Sequence, residues 1–170
     1  ILLWYRAIPG NGMDGNGNLS KDAGRYTLVS KEGDGIGTPP GIFSDIKFKG
    51  SNNHVGFYNT NGCCDGRSRD ALDTSLNAVP TNNEWVFVSI VSRKSEYDLY
   101  INGEKRLTQK LAQDNLFSAV NDLNLYFGIY GFGGDRSPFW YPFNGELDDI
   151  AYYSRTLSSQ EIKGAYEKSK

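Results

Sequence analysis

Histidine is nearly missing from this 170-residue sequence, where His54 is the only one. A Ser–His–Asp relay has a single candidate base, and a His-based zinc site, which needs about three or four clustered ligands, cannot be assembled. His54 reads instead as a polar residue at a strand end. Cysteine is almost as scarce, with Cys63 and Cys64 adjacent and no others, so a disulfide framework tying distant parts of the chain is excluded. An excess of one charge is lacking too: 18 Lys and Arg stand against 20 Asp and Glu, a net charge of −2. That balance leaves no electrostatic footprint for a phosphate backbone or an anionic leaflet, and nucleic acid is not an expected partner. Long apolar runs are absent, and the longest fall far short of the ~20 residues needed to cross a bilayer. Helical periodicity is almost absent as well.

Glycine (20 residues) and aromatic side chains (14%) are plentiful. Tyr, Phe, Val and Ile recur in short runs cut by Gly, Asn, Asp and Pro clusters, the punctuation of an all-β sandwich. The pattern predicts strands over Leu2–Ile8, Tyr26–Lys31, Ile42–Lys49, His54–Asn59, Trp85–Ser92, Asp98–Asn102, Glu104–Thr108, Leu123–Tyr130 and Glu146–Ser154. Both alternating faces of Trp85–Val91 are mostly apolar, as in a central strand covered on both sides. Trp4 and Trp85 lie within strands and are expected in the core. Asn102-Gly103 separates two β-prone runs, and both residues tolerate the positive φ of a type I′ hairpin turn. Only the C-terminus reads as helix: Ser158-x-x-Glu161 is a capping box, followed by Ile162, Ala165 and Tyr166 on one face.

Two stretches carry a family resemblance. Gly145-Glu146-Leu147-Asp148-Asp149-Ile150-Ala151, running into Arg155-Thr156-Leu157-Ser158 and the short helix, resembles the closing signature of laminin-G-like, concanavalin A-like jelly-roll domains. Trp85 to Gly103 resembles the same family's Trp-led strand and its Asn-Gly hairpin, while Ile1-x-x-Trp4 and Tyr26–Lys31 match its early strands more loosely. The resemblance implies a two-sheet antiparallel jelly-roll sandwich with a short C-terminal helix, a single domain over residues 1–170. Relatives carry a further N-terminal strand beside the closing strand, and nothing at the front of this sequence corresponds to it. The expectation is a domain that lacks this strand, or one in which a neighbour covers that edge.

The resemblance further implies a carbohydrate-binding surface on rim loops or a concave face, often with a structural calcium, in secreted or cell-surface proteins. Asp148 and Asp149 are the candidate calcium ligands, together with loop carbonyls. Asp14-Gly15-Asn16-Gly17-Asn18 also offers oxygens at alternate positions, but Leu19 stands where a calcium loop needs Gly and Arg25 where it needs Glu, so this stretch reads as a plain loop. Some relatives are glycosidases that use Glu-x-Asp-x-(x)-Glu on one strand, where alternation sets acid and nucleophile on one face at the ~5 Å that retention requires. Glu146-Leu147-Asp148-Asp149 begins this way, but Ile150 and Ala151 stand where the second Glu belongs. No catalytic residue is assigned.

Sugar recognition stacks a ring on an aromatic face while polar groups bond the hydroxyls. In Gly131–Pro142 three consecutive aromatics, Phe139, Trp140 and Tyr141, cannot all enter one core, so Asp135, Arg136, Trp140 and Tyr141 are candidate ligand contacts; capping the end of the sandwich is the alternative role for the rings. Asp65 and Arg67 flank Cys63-Cys64 and join the candidates. Neighbouring Cα atoms lie about 3.8 Å apart, below the usual disulfide range, so a vicinal bridge would be strained and would stiffen its turn; two free thiols are the alternative. The expected function is a non-catalytic, lectin-like module of a secreted or cell-surface bacterial protein, its partner a glycan or polysaccharide. A structural or adhesion domain packing on an adjacent domain, and a glycoside hydrolase, are the alternatives.

Overall fold

The computed structural model describes residues 1–8, 25–31, 41–47, 54–60, 70–72, 83–93, 96–110, 124–129 and 142–170, with backbone only for 25–26, 41–47, 54–60 and 70–72. Ten strands and one helix follow in chain order: β1 (Leu2–Ala7), β2 (Arg25–Lys31), β3 (Gly41–Lys47), β4 (His54–Thr60), β5 (Asp70–Leu72), β6 (Trp85–Arg93), β7 (Glu96–Ile101), β8 (Glu104–Lys110), β9 (Tyr126–Phe127), β10 (Gly145–Ala151) and α1 (Ser159–Lys168). They form two five-stranded sheets, ordered β10-β1-β6-β7-β8 and β5-β4-β3-β2-β9, with antiparallel pairing throughout. This is the sandwich the sequence predicts, with the short helix at its end. His54 opens β4 opposite Lys47.

β6 is the central strand of its sheet, and the apolar residues on its two faces enter two separate cores. Val86, Val88 and Ile90 join Leu3, Tyr5, Ala7, Tyr97, Leu99 and Ile101 on the face that meets Leu28 of the second sheet. Phe87 and Val91 join Leu2, Trp4 and Tyr100 on the opposite face, which Leu157, Ile162, Ala165 and Tyr166 cover. The helix therefore forms a third layer on the outside of one sheet, and an apolar stripe of its own makes that possible. Its start is held by the predicted capping box: Glu161 N–H donates to Ser158 Oγ at 3.2 Å, and Ser158 N–H donates to Glu161 Oε2 at 2.8 Å. The Arg155 guanidinium, 2.7 Å away, and the Ser158 donors hold the Glu161 carboxyl down to about 2.

Asn102 and Gly103 turn the β7–β8 hairpin at φ 51° and 78°, as the dipeptide predicts. A Cβ at Gly103 would also lie 3.0 Å from the Tyr166 ring, so this turn needs glycine for space as well as conformation. Gly145 is equally constrained, because a Cβ there would lie 2.1 Å from the Arg6 carbonyl oxygen. Gly145→Ala is expected to push β10 away from β1 and to cost about 2 kcal/mol or more in urea unfolding. An unchanged midpoint would count against the pairing described.

Three sequence expectations need correction. Strand β9 is only Tyr126–Phe127, because Gly128 leaves the extended conformation at φ 73°. The closing strand ends at Ala151 rather than Ser154, where the chain turns away toward the helix. Trp85 is not a core residue: it opens β6 with 39% of its surface exposed, whereas Trp4 is buried as expected.

Candidate functional site

The closing strand does not keep simple alternation. Trp4 pairs with Asp148 but Leu2 with Ala151, so three steps on β10 match two on β1 and the strand bulges. Asp149 absorbs the extra residue at φ 47°, a left-handed conformation that Asp tolerates better than most side chains. Its N–H donates to Asp148 Oδ1 at 2.8 Å, a local bond that fixes the bulge. As a result both aspartates line one cavity, although strict period-two alternation would send them to opposite faces.

That cavity is a groove of about 490 Å³ between the sheet and the end of the helix, lined by Trp4, Trp85, Asn102, Asp148, Asp149, Tyr166, Ser169 and Lys170. Trp4 forms part of its floor, stacked on Tyr166 at 5.6 Å and edge-on to Phe87 at 5.4 Å. Its indole N–H donates to Ser169 Oγ at 2.8 Å. Trp85 supplies the exposed ring. Arg6 pairs with it across the strands, sits 5.2 Å above the indole centroid, and forms an ion pair with Glu146. Neither Arg6 nor Glu146 lines the groove, so they brace Trp85 from outside.

Asn102 is held by two bonds to β6: its N–H donates to the Phe87 carbonyl at 2.8 Å, and its Oδ1 accepts from Phe87 N–H at 2.9 Å. Its amide N–H₂ remains as a fixed donor at the groove. The Lys170 ammonium lies 5.1 Å from the centre of the Tyr166 ring. Among the described residues the Asp149 carboxylate and the second Asp148 oxygen have no partner. The site thus offers aromatic faces beside acceptor-only carboxylates, a primary amide and one ammonium, a set suited to a hydroxylated ring.

A calcium ion takes about six to eight oxygen ligands. The Asp148–Asp149 pair brings two carboxylates, one oxygen of which already accepts a backbone N–H, and no group of three or more His, Cys, Asp or Glu assembles among the described residues. Lys170 lines the same groove. These residues alone do not fit a calcium site.

Of the residues singled out from the sequence, Asp148 and Asp149 are brought together, in the groove. Asp65, Arg67, Asp135, Arg136, Trp140 and Tyr141, with Cys63, Cys64 and the 14–18 stretch, lie outside the described residues. Sequence reasoning missed Trp85, Asn102, Tyr166, Ser169 and Lys170 as site residues. The available signal was Trp85 itself, which follows the polar run Thr81-Asn82-Asn83-Glu84 and begins its strand at the rim.

A laminin-G-type family profile, described as the concanavalin A-like lectin/glucanases superfamily, matches residues 20–163. The chain belongs to this superfamily. No curated protein matches the sequence. Among solved structures, the chain is similar to the CBM40 of Ruminococcus gnavus IT-sialidase, at a TM-score of 0.64 and 19% identity, covering 97% of this chain and 80% of that one. It is similar to a leech intramolecular trans-sialidase in complex with 2,7-anhydro-Neu5Ac, at a TM-score of 0.68 and 21% identity over 97% of this chain and 22% of that one. The binding domain of botulinum neurotoxin serotype D follows at 0.55 and 22% identity, covering 98% and 36%. At these identities the likeness is one of fold.

Proposed function

We propose that this domain is a non-catalytic, lectin-like carbohydrate-binding module of a secreted or cell-surface protein, and that the groove holds its glycan. The observation that carries the reading is the partly exposed Trp85 ring in one groove with the carboxylates of Asp148 and Asp149, of which a single oxygen is engaged among the described residues. A pyranose laid on the indole would present its hydroxyls to these acceptors and to the Asn102 amide. Superfamily membership supports the reading. So do neighbours of the same fold: the Ruminococcus gnavus module has been solved with α2,3-sialyllactose, and cell entry of botulinum neurotoxin type C depends on interaction with two ganglioside molecules. A binding rather than catalytic role fits the closing strand, where Ile150 and Ala151 replace the second glutamate and Glu146 is engaged by Arg6.

Binding to a broad glycan array is the test. Trp85→Ala is expected to weaken the response about tenfold or more without lowering the unfolding midpoint by more than a few degrees. Trp140→Ala and Tyr141→Ala report on the rim-loop residues in the same assay, and loss of binding in these variants alone would move the site to the loop. No response from the wild-type chain, with calcium added, would defeat the proposal. A second reading, an adhesion surface, is favoured by Ile150, Tyr152 and Tyr153, exposed large side chains in succession along the closing strand and the loop after it. In that case binding to a protein partner would survive Trp85→Ala.

A further inference from the structure

We infer that the groove takes a saccharide unit without negative charge, a neutral or amino-substituted pyranose, and rejects acidic units such as sialic acid; this rests on the glycan-binding reading above. Two carboxylates face the groove, and an ionised carboxylate accepts but never donates a hydrogen bond. Hydroxyl and ammonium groups donate to it. The carboxylate of an acidic sugar cannot, and would meet two like charges.

Among the described residues, the positive groups nearby do not reverse this balance. Arg6 is spent on Glu146 and on the face of Trp85, and it lies outside the groove. Lys170 is the one cation lining the groove among the described residues, set against Asp148 and Asp149, and its ammonium rests over Tyr166. The Asn102 amide is a neutral donor, fixed by its bonds to Phe87. The Trp4 indole N–H is occupied by Ser169. Among the described residues, an acidic ligand would find no preformed cationic clamp of the kind that recognises carboxylates. A neutral or amino sugar would find an aromatic face, two acceptors and one amide donor.

Charge selection of this kind sets the groove apart from the module of the same fold solved with α2,3-sialyllactose. The experiment is titration of the full chain with glycans paired as neutral and acidic: 3′-sialyllactose against its neutral carboxamide and against lactose, and neutral against acidic members of whichever array series responds, with glucosamine oligomers as the cationic arm. The expected result is binding at least about tenfold tighter for the uncharged or amino member of a pair. Asp148→Asn with Asp149→Asn should narrow that ratio to about threefold or less, and raised salt should narrow it too. Trp85→Ala should weaken both members alike.

Acidic glycans that bind as tightly as their neutral partners, and lose binding in Trp85→Ala, would overturn the charge selection and leave glycan binding intact. Binding that Trp85→Ala does not touch would overturn the inference by taking the ligand out of the groove. Silence toward every glycan would bring down the glycan-binding reading itself, and the inference with it.

Discussion

Trp4→Ala is expected to cost about 3–5 kcal/mol of stability, the range for deleting a large aromatic from a packed core. Trp4 retains only 8% of its surface exposed and joins three elements at once. On the sheet it meets Phe87 edge-on; on the helix it stacks on Tyr166; and through its indole N–H it bonds Ser169 just past the last turn of α1. Truncation would leave a void where helix and sheet meet, and isolated ten-residue helices are marginal in water. Loss of its dock should therefore release α1. Chemical unfolding should show the loss, with a midpoint lowered by roughly 10 °C in a thermal scan, and hydrogen exchange should rise first in α1. Trp4→Phe keeps most ring contacts and forfeits the indole hydrogen bond, so it should cost about 1–2 kcal/mol. A Trp4→Ala loss below about 1 kcal/mol would mean that the helix is held by something else.

The second large effect is expected at Asp98, a fully buried carboxylate on β7. Burial alone would raise its pKa, but Thr108, Lys105 and Arg93 together outweigh that and hold it below the ordinary carboxylate value. Thr108, opposite it on β8, donates its hydroxyl to Oδ1; Lys105 lies 3.0 Å from the same oxygen; and Arg93, itself 3.0 Å from Glu96, pairs with the other. Removing the carboxylate takes away several charge-assisted bonds, although Arg93 and Lys105 are partly exposed and can turn to solvent. Asp98→Ala is therefore expected to cost about 3 kcal/mol.

The sign of the pH dependence follows from the direction of the shift. A carboxyl with a lowered native pKa contributes its full stabilisation above the unfolded value, about 3.9, and loses it as the pH falls through the lower native value. Wild-type stability should therefore fall below about pH 4, and the gap between wild type and Asp98→Asn should shrink over the same interval. Glu161 titrates in the same direction, but it is common to both proteins and cancels in the comparison. A gap that stays constant down to pH 2 would show that the Asp98 charge does not contribute.

Features written in neighbouring residues were legible without coordinates. Tyr97 to Glu104 contains its own turn, because Asn102 and Gly103 are the residues that accept two consecutive positive φ values. Ser158 and Glu161 cap their helix within one turn. The apolar residues on both faces of Trp85–Val91 announced a central strand, and β6 is central. Alternation misled at the two places where it breaks. At Asp148–Asp149 the bulge turns two successive carboxylates into one groove, and at Trp85 the strand has only begun, so the ring stays partly exposed with Arg6 over one face. The three-residue β5, shorter than any useful period, was not anticipated.

By itself, then, the sequence determined the class of fold, most strands, the hairpin, the capped helix and the superfamily, all of which rest on local periodicity, turn chemistry and short motifs. Tertiary structure alone decided that the helix lies on the outer face of the sheet and that Trp4, Trp85, Asn102, Asp148, Tyr166 and Lys170 share a groove. The reason is physical. These residues come from β1, β6, the β7–β8 turn, β10 and the end of the helix, and only long-range strand pairing, with a bulge that shifts its register, brings them together.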